Sequence, residues 1–228
     1  MNGAAASPAG ARSWPYVGPF AALMLILGLG GVLPGGATWG YPLRTIVSFG
    51  VLLWCSRGVV RLRPSRAIPS VLVGVAVFVI WIGPDLLWPG YHDHWMFRHA
   101  LLGGGAGAPS PADRTALWFV LFRLGGSVLL VPVVEELFWR AWLMRWLIAH
   151  QFDQVPLGTY ARQAFWITAL LFASEHGAYW DVGLAAGIVY NWWMVRTKSL
   201  ADCILAHAVT NASLAAYVLL AGQWQYWL

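Results

Sequence analysis

The chain has 228 residues, of which 59% are hydrophobic and 10% charged, with 16 tryptophans and a mean hydropathy of +0.62. Soluble domains carry roughly 25% charged residues, so this composition excludes an ordinary soluble fold and points to an all-α, polytopic transmembrane helix bundle. The formal net charge of +5 does not argue for a nucleic-acid partner, because the arginines lie between apolar runs, where they act as topology signals. Two cysteines, Cys55 and Cys203, are too few for a disulfide framework or a cysteine zinc site.

Residues 1–15 are rich in Ala, Gly and Pro with Arg12 as their one charge, and are expected to be a disordered tail ahead of a single transmembrane domain over residues 16–228. The first apolar run covers 17–33. Gly35-Gly36-Ala37 resembles a signal-peptide cleavage region, but further apolar runs follow at once, so a retained first span is the simpler expectation. A second run, 43–60, ends among Arg57, Arg61, Arg63 and Arg66, which assigns that loop to the cytoplasm. A third, 68–88, is closed by Pro89-Gly90. The polar stretch 91–113 carries His92, Asp93, His94 and His99 and reads as a solvated extracytoplasmic loop, since short histidine-rich tracts are weak metal signals.

The next apolar stretch, 115–150, would be roughly 50 Å of helix at 1.5 Å per residue, more than one perpendicular span needs. It is either one long, tilted or broken helix or two spans folded at Val131-Pro132, where proline disrupts the helical ladder. Later runs cover 162–175, 182–195 and 200–221, with Arg196 and Lys198 between the last two. One crossing for 115–150 keeps all basic loops inside and gives seven spans with a cytoplasmic N-terminus; two crossings give eight. Residues 223–227 read as an interfacial aromatic anchor.

Polar residues inside apolar helices are costly and mark function. Glu136 and Arg140 are four apart and share a helix face, the spacing of an ion pair. Glu135, about 100° away, has no local partner. Phe172 and His176 share a face, as do His207 and Asn211. Counted from the basic loops at about 1.5 Å per residue, Glu135 and His176 lie at similar depth, with His207 and Asn211 near enough to join one cavity. Glu175 adjoins His176 but is expected to face elsewhere, and Asp85, Asp181, Asn191 and Asp202 receive no chemistry. A carboxylate beside a neutral histidine can hold and deprotonate a water, while a second histidine and an amide supply donors for an oxyanion. Such a set hydrolyses acyl compounds, most simply a peptide bond. A proton-relay transporter is the weaker reading, since no paired repeat with broken helices is visible; a non-proteolytic scaffold or immunity-type protein would keep the same buried residues.

Glu135-Glu136-x-x-x-Arg140, Phe172-x-x-x-His176 and His207-x-x-x-Asn211, in this order on successive apolar helices, resemble the three motifs of the CAAX-protease and bacteriocin-processing intramembrane proteases (CPBP, also Abi or Rce1-like). The resemblance covers about residues 117–220 and implies a catalytic core of about 115–221. It implies a glutamate-type hydrolase in which Glu135 and His176 activate water, His207 and Asn211 form the oxyanion hole, and Glu136, Arg140 and Phe172 support the site. No cofactor is expected; in a zinc-dependent variant the ligands would be Glu135, His176 and His207. Ala141 stands where many members have glycine. The implied partners are the lipid bilayer and a protein or peptide substrate, such as a C-terminal sorting or CAAX-like segment, and the implied location is a bacterial inner (cytoplasmic) membrane.

Overall fold

The computed structural model describes residues 9–30, 36–97 and 110–227, and every regular element among these residues is helical. Each of the seven apolar runs is represented: α1 (Ala9–Gly30), α2 (Gly36–Val51), α3 (Ala67–Leu87), a short α4 (Pro111–Thr115), then α5 (Leu117–Trp146), α6 (Arg162–Ser174), α7 (Trp180–Thr197) and α8 (Leu200–Ala221). Three of these, α3, α5 and α8, are long and apolar enough to cross a membrane. Their outward residues are apolar, including Leu72, Leu87, Leu121, Leu129 and Leu220, whereas Glu136, Arg140, Asn191 and Asp202 are fully buried. Apolar outside and polar within is the arrangement that a hydrocarbon solvent selects. This is an all-helical membrane protein.

The stretch 115–150 resolves into one continuous helix. Ala116 is extended and separates α4 from α5, and α5 then runs unbroken through Pro132. Wider π-type turns at Gly125–Leu130 and Leu137–Leu143 flank the proline. Proline removes an intrahelical donor and crowds the carbonyl four residues earlier; loosening the ladder beside it keeps the helix continuous instead of folding it back. The second π-type turn carries Arg140.

At its start, α1 takes in residues 9–15, which the composition had assigned to a disordered tail. Two tertiary bonds hold that end: Trp142 Nε1 donates to Ser13 Oγ at 3.0 Å, and Ser56 Oγ donates to the Pro15 carbonyl. Phe20 stacks on Phe138 with ring centroids 4.0 Å apart, so α1 covers the outer side of α5. Residues 1–8, Gly35 of the cleavage-like sequence and His99 lie outside the described residues.

The connections gather at two ends of the bundle. At one, Asp202 of α8 accepts from the Ser65 and Arg66 backbone amides, from Ser65 Oγ at 2.6 Å and from Ser70 Oγ. A fully buried carboxylate there caps α3, satisfying donors at the helix start that have no intrahelical partner. The turn at Gly158 packs against Lys198 at this same end. At the other, the Tyr91–Asp93 turn, the start of α7 and the C-terminal residues meet. Residues 223–227 do not form a free aromatic anchor: Tyr226 and Trp227 are buried, and Tyr226 O–H donates to Asp85 Oδ2 at 2.9 Å. His92 is likewise buried rather than solvated, held between Asp85 and Asp181, while Asp93 and His94 remain exposed.

Candidate active site

Glu135 and Glu136 occupy the middle of α5, in the one ordinary α-helical segment between its two π-type turns. Both are buried, at 7% and 0% exposure. Arg140 closes the expected ion pair, Nη1 donating to Glu136 Oε1 at 3.0 Å. Its Nε donates to Asn191 Oδ1 of α7 at 3.1 Å, and its guanidinium lies over the rings of Phe172 and Tyr190 at 4.4 and 5.3 Å. A buried ion pair needs its geometry fixed; these contacts fix it, while Arg140 Nη2 and Glu136 Oε2 stay buried without a hydrogen-bond partner. Phe172 and Asn191 therefore act on Arg140, and Asn191 Nδ2 in turn donates to the Phe165 carbonyl at 2.8 Å.

From α8, His207 reaches the same carboxylate. Its Nδ1 lies 2.9 Å from Glu136 Oε1, and its Nε2 lies 4.0 Å from Glu135 Oε2. Because a carboxylate paired with arginine can only accept, Nδ1 must carry the proton. The ring stacks on Tyr190 at 5.1 Å and 22°, and Tyr190 O–H donates to Thr210 Oγ1 at 2.7 Å, which fixes the plane of the imidazole. Nε2 then gains an N–H only as the imidazolium, whose charge would lie between two glutamates.

His176 is set by the end of α6. The helix stops at Ser174, after about 20 Å at 1.5 Å per residue, and the chain turns at Gly177–Tyr179 before α7 begins. Nδ1 of His176 donates to the Phe172 carbonyl at 2.7 Å, so in the neutral ring Nε2 keeps its lone pair for a proton or an electrophile. Gly183 of α7 allows the close approach, since a Cβ there would sit 3.1 Å from His176 Cβ and Cγ.

Glu175 also enters the site, contrary to the expectation that it faces away. The 100° step between neighbours holds only while the helix continues. At residues 175–176 the chain is leaving α6 for the Gly177–Tyr179 turn, and the donor atoms of these two neighbours both reach the site. One oxygen of Glu175 accepts from Trp139 Nε1 at 3.0 Å. Donor atoms of Glu135, Glu175 and His176 all lie within 4.8 Å of one another. Glu135 Oε2 and Glu175 Oε2 are buried with no hydrogen-bond partner in the protein, which is the polar lining that a water or a cation needs. The group that could hold a metal ion is thus Glu135, Glu175 and His176; His207, expected as a ligand in a zinc-dependent variant, is not part of it.

Asn211 stands apart from these contacts. Its Nδ2 donates to the Ser127 carbonyl in the first π-type turn at 2.7 Å, leaving one amide hydrogen for other use. The structure therefore brings Glu135, Glu136, Arg140, Phe172, His176 and His207 into one cluster and ties Asn211 to its edge. Glu175, Trp139, Tyr190, Asn191 and Thr210 are additions. Of these, Glu175 and Asn191 carried a sequence signal, as polar groups in or beside apolar helices; Trp139, Tyr190 and Thr210 are ordinary helix residues whose neighbours only the fold reveals.

The fold and site define a membrane protein with a buried glutamate–histidine centre. Residues 115–213 match the family model described as type II CAAX prenyl endopeptidase Rce1-like, a segment that holds every motif residue. The chain thus carries an Rce1-like domain over these residues, in agreement with the family its three motifs resemble. No curated protein and no solved structure matches it.

Proposed function

We propose that the protein is an intramembrane endopeptidase that cleaves a peptide bond of a membrane-associated protein or peptide by a glutamate- and histidine-activated water. The observation that carries this reading is the convergence of Glu135, Glu175 and His176 within 4.8 Å, with two buried carboxylate oxygens left for a ligand. A water between Glu135 and His176 gives a proton to the Glu135 carboxylate while its oxygen attacks the substrate carbonyl. The charge that develops on the carbonyl oxygen is met by Nε2–H of His207 as imidazolium and by the free amide hydrogen of Asn211. Glu135 then returns the proton to the leaving nitrogen as the C–N bond breaks. Glu136 and Arg140 hold His207 throughout. A zinc ion, if one is bound, would be held by Glu135, Glu175 and His176 and would supply a polarised water.

An apolar cleft of about 690 Å³ runs between α2 and α5, lined by Leu52, Leu121, Phe122, Leu130 and Val133, with Arg57 at one end. Its lining is apolar, so the cleft is assigned to an apolar or lipid-bearing part of the substrate, and Arg57 to a terminal carboxylate. The loops 57–66 and 196–199 and the turn at Gly158 share one end of the bundle. Their arginines and lysine favour seven crossings, with that end in the cytoplasm of a bacterial inner membrane.

The test is cleavage of quenched, membrane-tethered peptides by the purified wild type and Glu135→Gln in detergent, with and without a chelator. Loss of roughly 10²- to 10⁴-fold in the variant, with an unchanged unfolding midpoint and no effect of chelator, supports the metal-free mechanism. Loss on chelation with recovery on adding zinc assigns the metal variant. A folded Glu135→Gln protein that cleaves like wild type overturns both.

A further inference from the structure

A second buried cluster of titratable groups lies at the opposite end from the basic loops. His92 sits with Nδ1 2.8 Å from Asp85 Oδ2 on the last turn of α3, and Nε2 3.1 Å from Asp181 Oδ1 on the first turn of α7. Its backbone N–H also donates to Asp85 Oδ1 at 3.3 Å, and Tyr226 O–H donates to Asp85 Oδ2. The His92 side chain is 6% exposed. Asp93, Tyr91 and Tyr179 are the other titratable groups around it.

A carboxylate oxygen only accepts, and a neutral imidazole has one N–H to give. Two carboxylates on the two ring nitrogens therefore call for a second proton, and the group that takes it is the imidazole. Burial opposes that charge, but the hydrogen bonds and charges of Asp181 and Asp85 outweigh it and hold His92 above the ordinary histidine value.

The cluster reaches the catalytic histidine through rigid contacts. The Tyr179 ring lies 4.4 Å from His92. Trp81 stacks on Tyr179 at 6.2 Å and meets His176 edge-on at 5.2 Å. Tyr179 N–H donates to the His176 carbonyl at 3.0 Å, and Asp181 lies just beyond the turn that begins there.

We propose that His92, held as an imidazolium between Asp85 and Asp181, is a positioning residue for His176, and that loss of its proton sets the alkaline limit of the activity. With the proton gone, one carboxylate faces a lone pair, the start of α7 is released from α3, and the Gly177–Tyr179 turn no longer fixes His176. A raised folded-state value means that the stabilisation is complete below the unfolded histidine value of about 6.5 and disappears as pH rises through the folded value. The activity arm of the proposal rests on the peptidase reading; the structural arm does not.

The experiment uses the full chain in detergent as wild type, His92→Ala and Asp181→Asn, between about pH 6 and 9. Peptide cleavage and hydrogen exchange of the backbone over residues 173–181, corrected for the intrinsic base-catalysed rate, are both followed. An asparagine at 181 donates to the lone pair of a neutral imidazole, so Asp181→Asn makes the clamp independent of the proton. Expected are an alkaline fall in kcat and faster exchange in wild type, neither in Asp181→Asn, and a kcat lowered roughly 10- to 100-fold at every pH in His92→Ala. Asp85→Asn serves the same purpose as Asp181→Asn should that variant fail to fold. An alkaline limb that survives in a folded asparagine variant, or a His92→Ala protein with wild-type kcat and exchange, overturns the proposal. Should wild type cleave no peptide, the peptidase reading fails by itself, and exchange decides the clamp: a corrected rate that is flat with pH in wild type overturns it.

Discussion

Oε1 of Glu136 receives two donors from two different helices, His207 Nδ1 at 2.9 Å and Arg140 Nη1 at 3.0 Å. One oxygen thus joins the arginine of the first motif to the histidine of the third. It also divides the two adjacent glutamates: each keeps a buried Oε2 with no hydrogen-bond partner, but Glu136 is held through Oε1 by these two donors, whereas Glu135 has only His207 Nε2 at 4.0 Å. The acid with two donors ties the helices together, and the other is the one to which the proposed mechanism gives the chemistry.

Removal of Arg140 exposes this division. Arg140→Ala leaves the fully buried Glu136 without its counter-charge, so the protein is expected to lose about 3–5 kcal/mol of stability. Arg140→Lys keeps a charge but not the fork that reaches Glu136 and Asn191 together, and falls between. Unfolding midpoints in one detergent check the order wild type, lysine, alanine. Equal midpoints for all three would show that the pair does not hold the bundle.

The sequence made some of this legible and hid the rest for identifiable reasons. Glu136 and Arg140 lie four apart on one helix, and that spacing alone predicts their bond. The seven apolar runs are visible because hydrocarbon imposes length and composition on a helix. Glu175 was misread because helical periodicity was applied one residue past the helix end, where it no longer governs direction. The burial of His92 is not legible, because a polar loop sequence gives no sign that Asp181, 89 residues away, joins Asp85, seven residues earlier, to close over it. The continuity of α5 through Pro132 was open because proline permits either a break or a loosened ladder, and only packing against α1, α2 and α8 decides.

Gly183 offers a test of His176 placement that spares the chemistry. A methyl group there comes within 3.1–3.2 Å of His176 Cβ, Cγ and Nδ1, tighter than ordinary contact, so the imidazole must move by a few tenths of an ångström. In the helix itself alanine is favoured over glycine by roughly 0.5–1 kcal/mol. Gly183→Ala is therefore expected to unfold no earlier than wild type while losing roughly 10-fold in kcat, since small misplacements of a catalytic group are costly. Steady-state kinetics beside a melting curve separates the two effects; full activity with normal stability would remove His176 from the site.

The cleft between α2 and α5 can be filled without disturbing the glutamates. Gly125 lines it, has an ordinary helical φ of −59°, and a Cβ added there meets nothing within 4 Å. Gly125→Leu thus projects an isobutyl group into the space assigned to the apolar part of the substrate, with no strain on the backbone. A group that blocks binding remote from the reacting bond raises KM and leaves kcat alone, because ground state and transition state lose the same contacts. The expected result is a KM raised several-fold for substrates with a large apolar or lipid-bearing segment, and little change for short peptides that do not reach the cleft. Equal losses for both would place the mutation's effect on α5 itself, whereas unchanged kinetics for both would show that substrate enters the site by another route.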